Sequence, residues 1–170
     1  MTMTPYRRLS GYTLVEILVV LLIVSIMSGL AVINLPAFTR SGDFDLESQR
    51  IKTLLDMARE ESIVRAIEFG FKPTENTYSF YIYDEMERKW FESDLSPFQP
   101  RSLPDDIKLE LKVEGDPLPM PTEGDDSVPP VLLLSSGETT PFTLNILQES
   151  TLVLSLESDG YSDIKWLEDE

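Results

Sequence analysis

The sequence predicts an α+β protein: a long N-terminal helix whose first half spans a membrane, then a domain of antiparallel strands. Three observations carry this. Ile17 to Thr39 is a run of 23 residues without a charged side chain. Beyond Ser41, apolar residues recur at helical spacing, and from Thr77 onward the spacing falls to two. A helix followed by many strands is the α+β pattern, with the sheet packed on the outer half of the helix.

The apolar run comes first. Its core reads Ile17-Leu18-Val19-Val20-Leu21-Leu22-Ile23-Val24, and about 20 such residues cross a bilayer as a helix. It is apolar on all sides, unlike a surface helix, and too long for the buried core of so small a domain. Ser25, Ser28, Gly29 and Ala31 give it a small-residue face suited to close helix packing. Arg7 and Arg8 precede it, so the positive-inside rule places the first residues in the cytoplasm and Ser41 onward outside. Gly29-Leu30-Ala31 could pass for a secretory cleavage site, but the run is too long for a signal core. Glu16 also lies among the apolar residues at its start, and an ionisable group at membrane depth usually marks function.

The second half of the helix carries Ile51, Leu54, Leu55, Ala58, Ser62 and Ile63 at three- and four-residue spacing. Pro36 should kink the helix before it, Ser41 or Asp43 could cap it, and Gly70 is the expected stop. Tyr78, Phe80 and Ile82 then alternate with Ser79, Tyr81 and Tyr83. Ile107 to Val113 alternates almost perfectly, Phe142, Leu144 and Ile146 form a third set, and Leu152, Leu154 and Leu156 a fourth. Ser158-Asp159-Gly160 signals a turn before a short strand around Ile164-Lys165-Trp166. Asp116 to Pro130, rich in proline and acids, reads as an exposed loop.

Composition excludes several chemistries. The 170 residues contain neither cysteine nor histidine. Disulfides, thiol catalysis and the commonest general base are therefore absent. From Ser41 onward 29 acidic residues face 11 basic ones, a balance of −18, and such a surface repels phosphate backbones. Asp105-Asp106 and Asp125-Asp126 are adjacent pairs, but neighbours on a strand point to opposite faces, so they read as solvated acids. Glu123-Gly124-Asp125-Asp126 offers oxygen ligands for weak calcium binding, yet it assigns no metal site. Tyr78, Tyr81, Tyr83, Trp90 and Phe91 are expected to pack in the core and across strands rather than form a binding surface.

Ser10-Gly11-Tyr12-Thr13-Leu14-Val15-Glu16, followed by the apolar run, resembles the type IV prepilin signal. That signal is a basic leader ending in Gly, then an aromatic, Thr-Leu, an aliphatic and Glu. The one departure is Tyr12 where Phe is usual. The resemblance implies that a prepilin peptidase cuts between Gly11 and Tyr12 and N-methylates Tyr12. Glu16 then becomes the fifth residue of the mature chain. It divides the chain into a leader at 1–11, the transmembrane half of the helix at 12–40, and a periplasmic globular domain at 41–170. It also implies one pilin-like helix, with Ser41-Gly42 the place where it would break.

Leu54-Leu55-Asp56-Met57-Ala58-Arg59-Glu60-Glu61-Ser62 and Leu132-Leu133-Leu134-Ser135-Ser136-Gly137-Glu138-Thr139-Thr140-Pro141-Phe142 resemble the H-type minor pseudopilins of type II secretion systems. The resemblance is loose from Glu114 to Pro130. It implies an interaction protein rather than an enzyme, without cofactor. The subunit would sit in the bacterial inner membrane and be built into the tip region of a short periplasmic fibre that exports folded proteins across the outer membrane. The implied partners are other minor and major pseudopilins, the prepilin peptidase, the inner-membrane assembly platform and secreted substrates, with no nucleic acid. The alternative is a minor pilin of a type IV pilus, which shares the first half of the pattern. A membrane-tethered hydrolase using acidic residues would leave Gly11 to Glu16 unexplained.

Overall fold

The structure, a computed structural model, describes residues 14–122 and 127–167, without the side chains of residues 28–42. The chain divides into two compact units, Met1–Gly42 and Asp43–Glu170. One helix, α1 (Leu14–Arg65), belongs to both. The expected break at Ser41-Gly42 is not found, so Ser41 and Asp43 are interior helical residues and cap nothing. The kink expected at Pro36 lies where side chains are not described.

In the second unit α1 buries Phe44, Ile51, Leu54, Leu55, Ala58 and Ser62. Apart from the buried Glu47, the intervening charges reach solvent, where Lys52 and Asp56 pair at 2.7 Å one turn apart. Ile63 departs from the expected stripe and is half exposed. The helix also stops earlier than Gly70. The Ile67 N–H returns to the Ser62 carbonyl at 3.2 Å, and Ala66 adopts φ 52°. This is a Schellman stop with alanine in the left-handed position that glycine usually takes.

Among the described residues ten strands follow: β1 (Phe69–Pro73), β2 (Thr77–Asp84), β3 (Lys89–Glu92), β4 (Arg101–Ser102), β5 (Ile107–Val113), β6 (Asp116–Leu118), β7 (Val131–Leu133), β8 (Phe142–Gln148), β9 (Thr151–Ser158) and β10 (Lys165–Trp166). They form two antiparallel five-stranded sheets. The first runs β3-β2-β1-β7 with β4 also on β2, and the second runs β10-β9-β8-β5-β6. The expected alternation buries Tyr78, Phe80, Ile107, Leu109, Leu111, Phe142, Leu144 and Ile146 over β2, β5 and β8, while Ile82 is only half-buried and Asn145 is buried between Leu144 and Ile146. Helix and sheets share one core, in which Phe69, Phe71, Phe80 and Phe98 stack at centroid distances of 5.1 to 5.3 Å.

Three expectations are corrected. Gly70 lies inside β1, and a Cβ there would stand 2.6 Å from the ring of Pro129, so this glycine admits the loop that crosses the sheet. Asp116–Leu118, read as loop, pairs with β5 as β6. Leu152 is exposed, because a bulge shifts the register between Ile146 and Leu147 and turns Leu152 away from the face of Leu154 and Leu156.

The aromatic residues divide. Tyr78 is in the core, Tyr83 and Trp90 pair across strands at 5.2 Å, and Phe91 is half exposed. Ala66→Gly should relieve the left-handed alanine and stabilise the native state by roughly 1 kcal/mol. Denaturant unfolding of the full chain in detergent would measure it.

Candidate functional site

The sequence motifs fall in three places. Gly11 and Tyr12 lie outside the described residues. Glu16 occupies the first turn of α1, where a carboxylate suits the helix dipole. From Leu14 to Met27 every large apolar side chain is exposed. So much bare apolar surface on one helix needs an apolar surrounding to cover it. Among the described residues no helix is long and apolar enough to cross a membrane. The described side chains of this first part end at Met27, short of the about 20 residues a crossing takes.

The second and third motifs are distant in sequence and meet in the fold. Leu132–Phe142 carries the chain from the first sheet to the second. A tight turn closes it through the Leu134 N–H to the Glu138 carbonyl at 2.8 Å, with Gly137 at φ 89°. The Ser62 hydroxyl, on the helix, donates to the Leu134 carbonyl at 3.1 Å. The Glu68 carboxylate accepts from both the N–H and the hydroxyl of Ser135, at 2.9 and 2.8 Å. Arg59 reaches the other way, donating to Asp163 at 3.0 Å and to the Tyr161 carbonyl at 3.1 Å. That loop is shaped by Asp159, which accepts from the N–H of Ser162, the N–H of Tyr161 and the Ser162 hydroxyl. These bonds, the Ser162 N–H foremost, hold its pKa down to about 2. Both motifs therefore pin loops to the helix.

A further polar site joins helix and sheet. Arg101 on β4 donates to both oxygens of Glu47, at 2.6 and 3.0 Å, and Arg50 stands 3.5 Å from the same carboxylate. Glu47 is buried and both arginines are about half exposed. The hydrogen bond to Glu47 raises the pKa of Arg101 further. The i,i+3 spacing of Glu47 and Arg50 was visible in the sequence, but nothing there signalled Arg101. Beneath lies Tyr78, whose hydroxyl has no hydrogen-bond partner among the described residues. Burial first, and then the charge of Glu47, push its pKa up to about 12.

Among the described residues no group of acidic side chains is arranged to hold a metal. Glu123 to Asp126 lie outside them. Asp105 is exposed and Asp106 half-buried, where it accepts from the Gln148 amide at 3.3 Å.

The geometry matches known proteins. The family described as the prokaryotic N-terminal methylation motif matches residues 6–32. The type II secretion system protein H of Pseudomonas aeruginosa is 30% identical, over 91% of this chain and 94% of that protein. The protein of the same name from Pectobacterium carotovorum is 29% identical over 85% of this chain and 84% of its own length. Among solved structures, the minor pseudopilin EpsH of Vibrio cholerae superposes with a TM-score of 0.62 at 20% identity, covering 74% of this chain and 95% of that one. The solution structure of E. coli GspH gives a TM-score of 0.55 at 18% identity, covering 79% and 92%. A helix that opens on a methylation motif and then carries antiparallel sheets defines a pseudopilin architecture. Within that class, the chain belongs to the type II secretion system protein H family.

Two outcomes test the polar site. Arg101→Ala would leave Glu47 buried against Arg50 alone, and should cost on the order of 2 kcal/mol in denaturant unfolding, since the pair is only part-buried. Tyr78 has a folded pKa above its unfolded value near 10, so its contribution is complete below pH 10 and is lost as pH rises toward 12. Tyr78→Phe should change stability at pH 7 by less than about 1 kcal/mol, because an unpaired hydroxyl is removed. It should also flatten the alkaline fall, as unfolding midpoints at pH 9 and 11.5 would show.

Proposed function

We propose that this chain is a minor pseudopilin subunit, built into the tip region of a short periplasmic fibre that drives export of folded proteins across the outer membrane. The observation that carries the reading is the union of a methylation motif at residues 6–32 with family likeness over 91% of the chain. Of secretion fibre and type IV pilus, the names of the relatives favour the first. The family is a structural one, and its members work by contact with other pseudopilins. The inner-membrane assembly platform and the exported proteins are the further partners of this proposal.

The processing step follows from the motif. A prepilin peptidase cuts between Gly11 and Tyr12 and methylates the Tyr12 amine. Residues 12–40 then hold the subunit in the inner membrane, with residues 41–170 in the periplasm. Support comes from the exposed apolar surface of Leu14 to Met27, which a bilayer or a bundle of like helices would cover. Glu16 pairs with the charged amine of Tyr12, from its own chain or from the next subunit. An opposite-charge contact gains strength where apolar helices exclude water, though burying both charges offsets part of the gain. Glu16 thereby sets the axial offset of an incoming subunit.

Mass spectrometry of the mature protein should find N-methyl-Tyr12 as its first residue; an N-terminus at Val32 would mean an ordinary secretory signal. Glu16→Ala should leave cleavage and membrane insertion intact while reducing cross-linking to neighbouring pseudopilins and weakening export. Normal cross-linking with full export in that variant would remove the pairing role. The acidic domain should also leave DNA unshifted in a mobility assay at physiological salt.

A further inference from the structure

A groove of about 520 Å³ opens along the outer face of α1 in the second unit, between Leu46, Arg50, Thr53 and Met57 on the helix and Pro97 and Arg101 on the segment leading into β4. Its size is that of clefts that hold a ligand or a few side chains. Two properties mark it. It keeps large apolar side chains in the open, with Leu46 66% and Met57 39% exposed. None of its lining residues is acidic, and two are arginine, although the domain carries 29 acids against 11 bases.

The charge is not cancelled from below. Among the described residues Glu47 is the one carboxylate paired with the two guanidinium groups, so there two positive charges share one negative charge. Arg101 spends its Nε and one Nη2 proton on Glu47. An arginine has five N–H donors, so others remain for an incoming acceptor. Apolar contact ringed by arginine is the composition of a protein-binding hot spot.

We propose that this groove docks an acidic segment of a neighbouring subunit of the fibre, a carboxylate meeting Arg50 and Arg101 while an apolar side chain packs between Leu46 and Met57. Charge complementarity selects the occupant, because an acidic segment is repelled by most of this domain's surface and attracted here. The inference rests on the fibre-subunit reading and adds to it a place and a chemistry of contact.

The test uses the full chain in cells with a working secretion system. A photoreactive benzophenone residue replaces Thr53, and a second protein carries it at Val20 as the control for helix contacts in the membrane half. Light should link position 53 to another pseudopilin, with the adduct mapped by mass spectrometry within a few residues of an Asp or Glu. Arg50→Glu should lower that adduct at least tenfold, while Arg50→Lys should keep at least half of it. Gln49→Glu, an exposed substitution on the groove's edge, should lower it likewise without touching the Glu47 pair. An adduct on a neutral or basic segment, an adduct unmoved by these charges, or an adduct with lipid overturns the proposal. Adducts from Val20 without any from position 53 overturn the groove and leave the fibre reading standing. Absence of both while export continues overturns the two together.

Discussion

The buried helix face of Ile51, Leu54, Leu55 and Ala58 is the constraint on which the second unit depends. These side chains have essentially no solvent exposure, and both sheets contribute residues to the same core. Neither sheet could bury its apolar face without them, because a single sheet leaves one face bare. Ala58 is fully buried there, as are Phe71 and Leu133 in the same core. The same helix carries the opposite pattern before Met27, where large apolar side chains are exposed throughout. One element thus serves two surroundings, and the change in periodicity along it marks the change of surrounding.

The polar contacts make this packing unique rather than merely apolar. Ser62 and Glu68 hold the turn that carries the chain between sheets, and Arg59 holds the loop before β10. Each joins a residue on the helix, or just past its end, to a partner about 70 to 100 residues away in sequence. Glu47 with Arg101 does the same near the other end of the helix's buried part. Charge-assisted bonds of this kind add geometric selectivity to a core whose apolar contacts are non-directional. The motifs around Arg59 and Gly137 therefore hold distant loops against the helix.

Legibility in the sequence followed element length. β2, β5 and β8 are seven or eight residues long and half-buried, so their period of two stood out. β4, β6, β7 and β10 have two or three residues, too few for any period; of these only β10 was expected, from the turn signal ahead of it. β1 was hidden for another reason. It is buried on both faces, and its glycine read as a helix stop, whereas the Pro129 ring lies where a Cβ of Gly70 would stand. Leu152 followed the alternation in sequence but not in space, since one bulge reverses the facing of everything before it. The half-exposed groove by Arg50 had no signature at all, because Arg101 lies 54 residues from Glu47.

What the sequence determined by itself was local and chemical. The methylation motif, the uncharged run, the acidic balance of the domain and the absence of Cys and His need only neighbouring residues or a count. They decide how the chain is addressed and which chemistries are closed to it. Tertiary structure alone decided where α1 stops, which face Leu152 takes, and that Arg50 and Arg101 meet over one buried carboxylate beside open apolar surface. The physical reason is common to all three. Each is a balance between a local preference and a contact with a distant segment: an alanine forced left-handed to end a helix, an alternation interrupted by a bulge, a charge neutralised across the fold. Such balances are settled only when the distant segment has arrived.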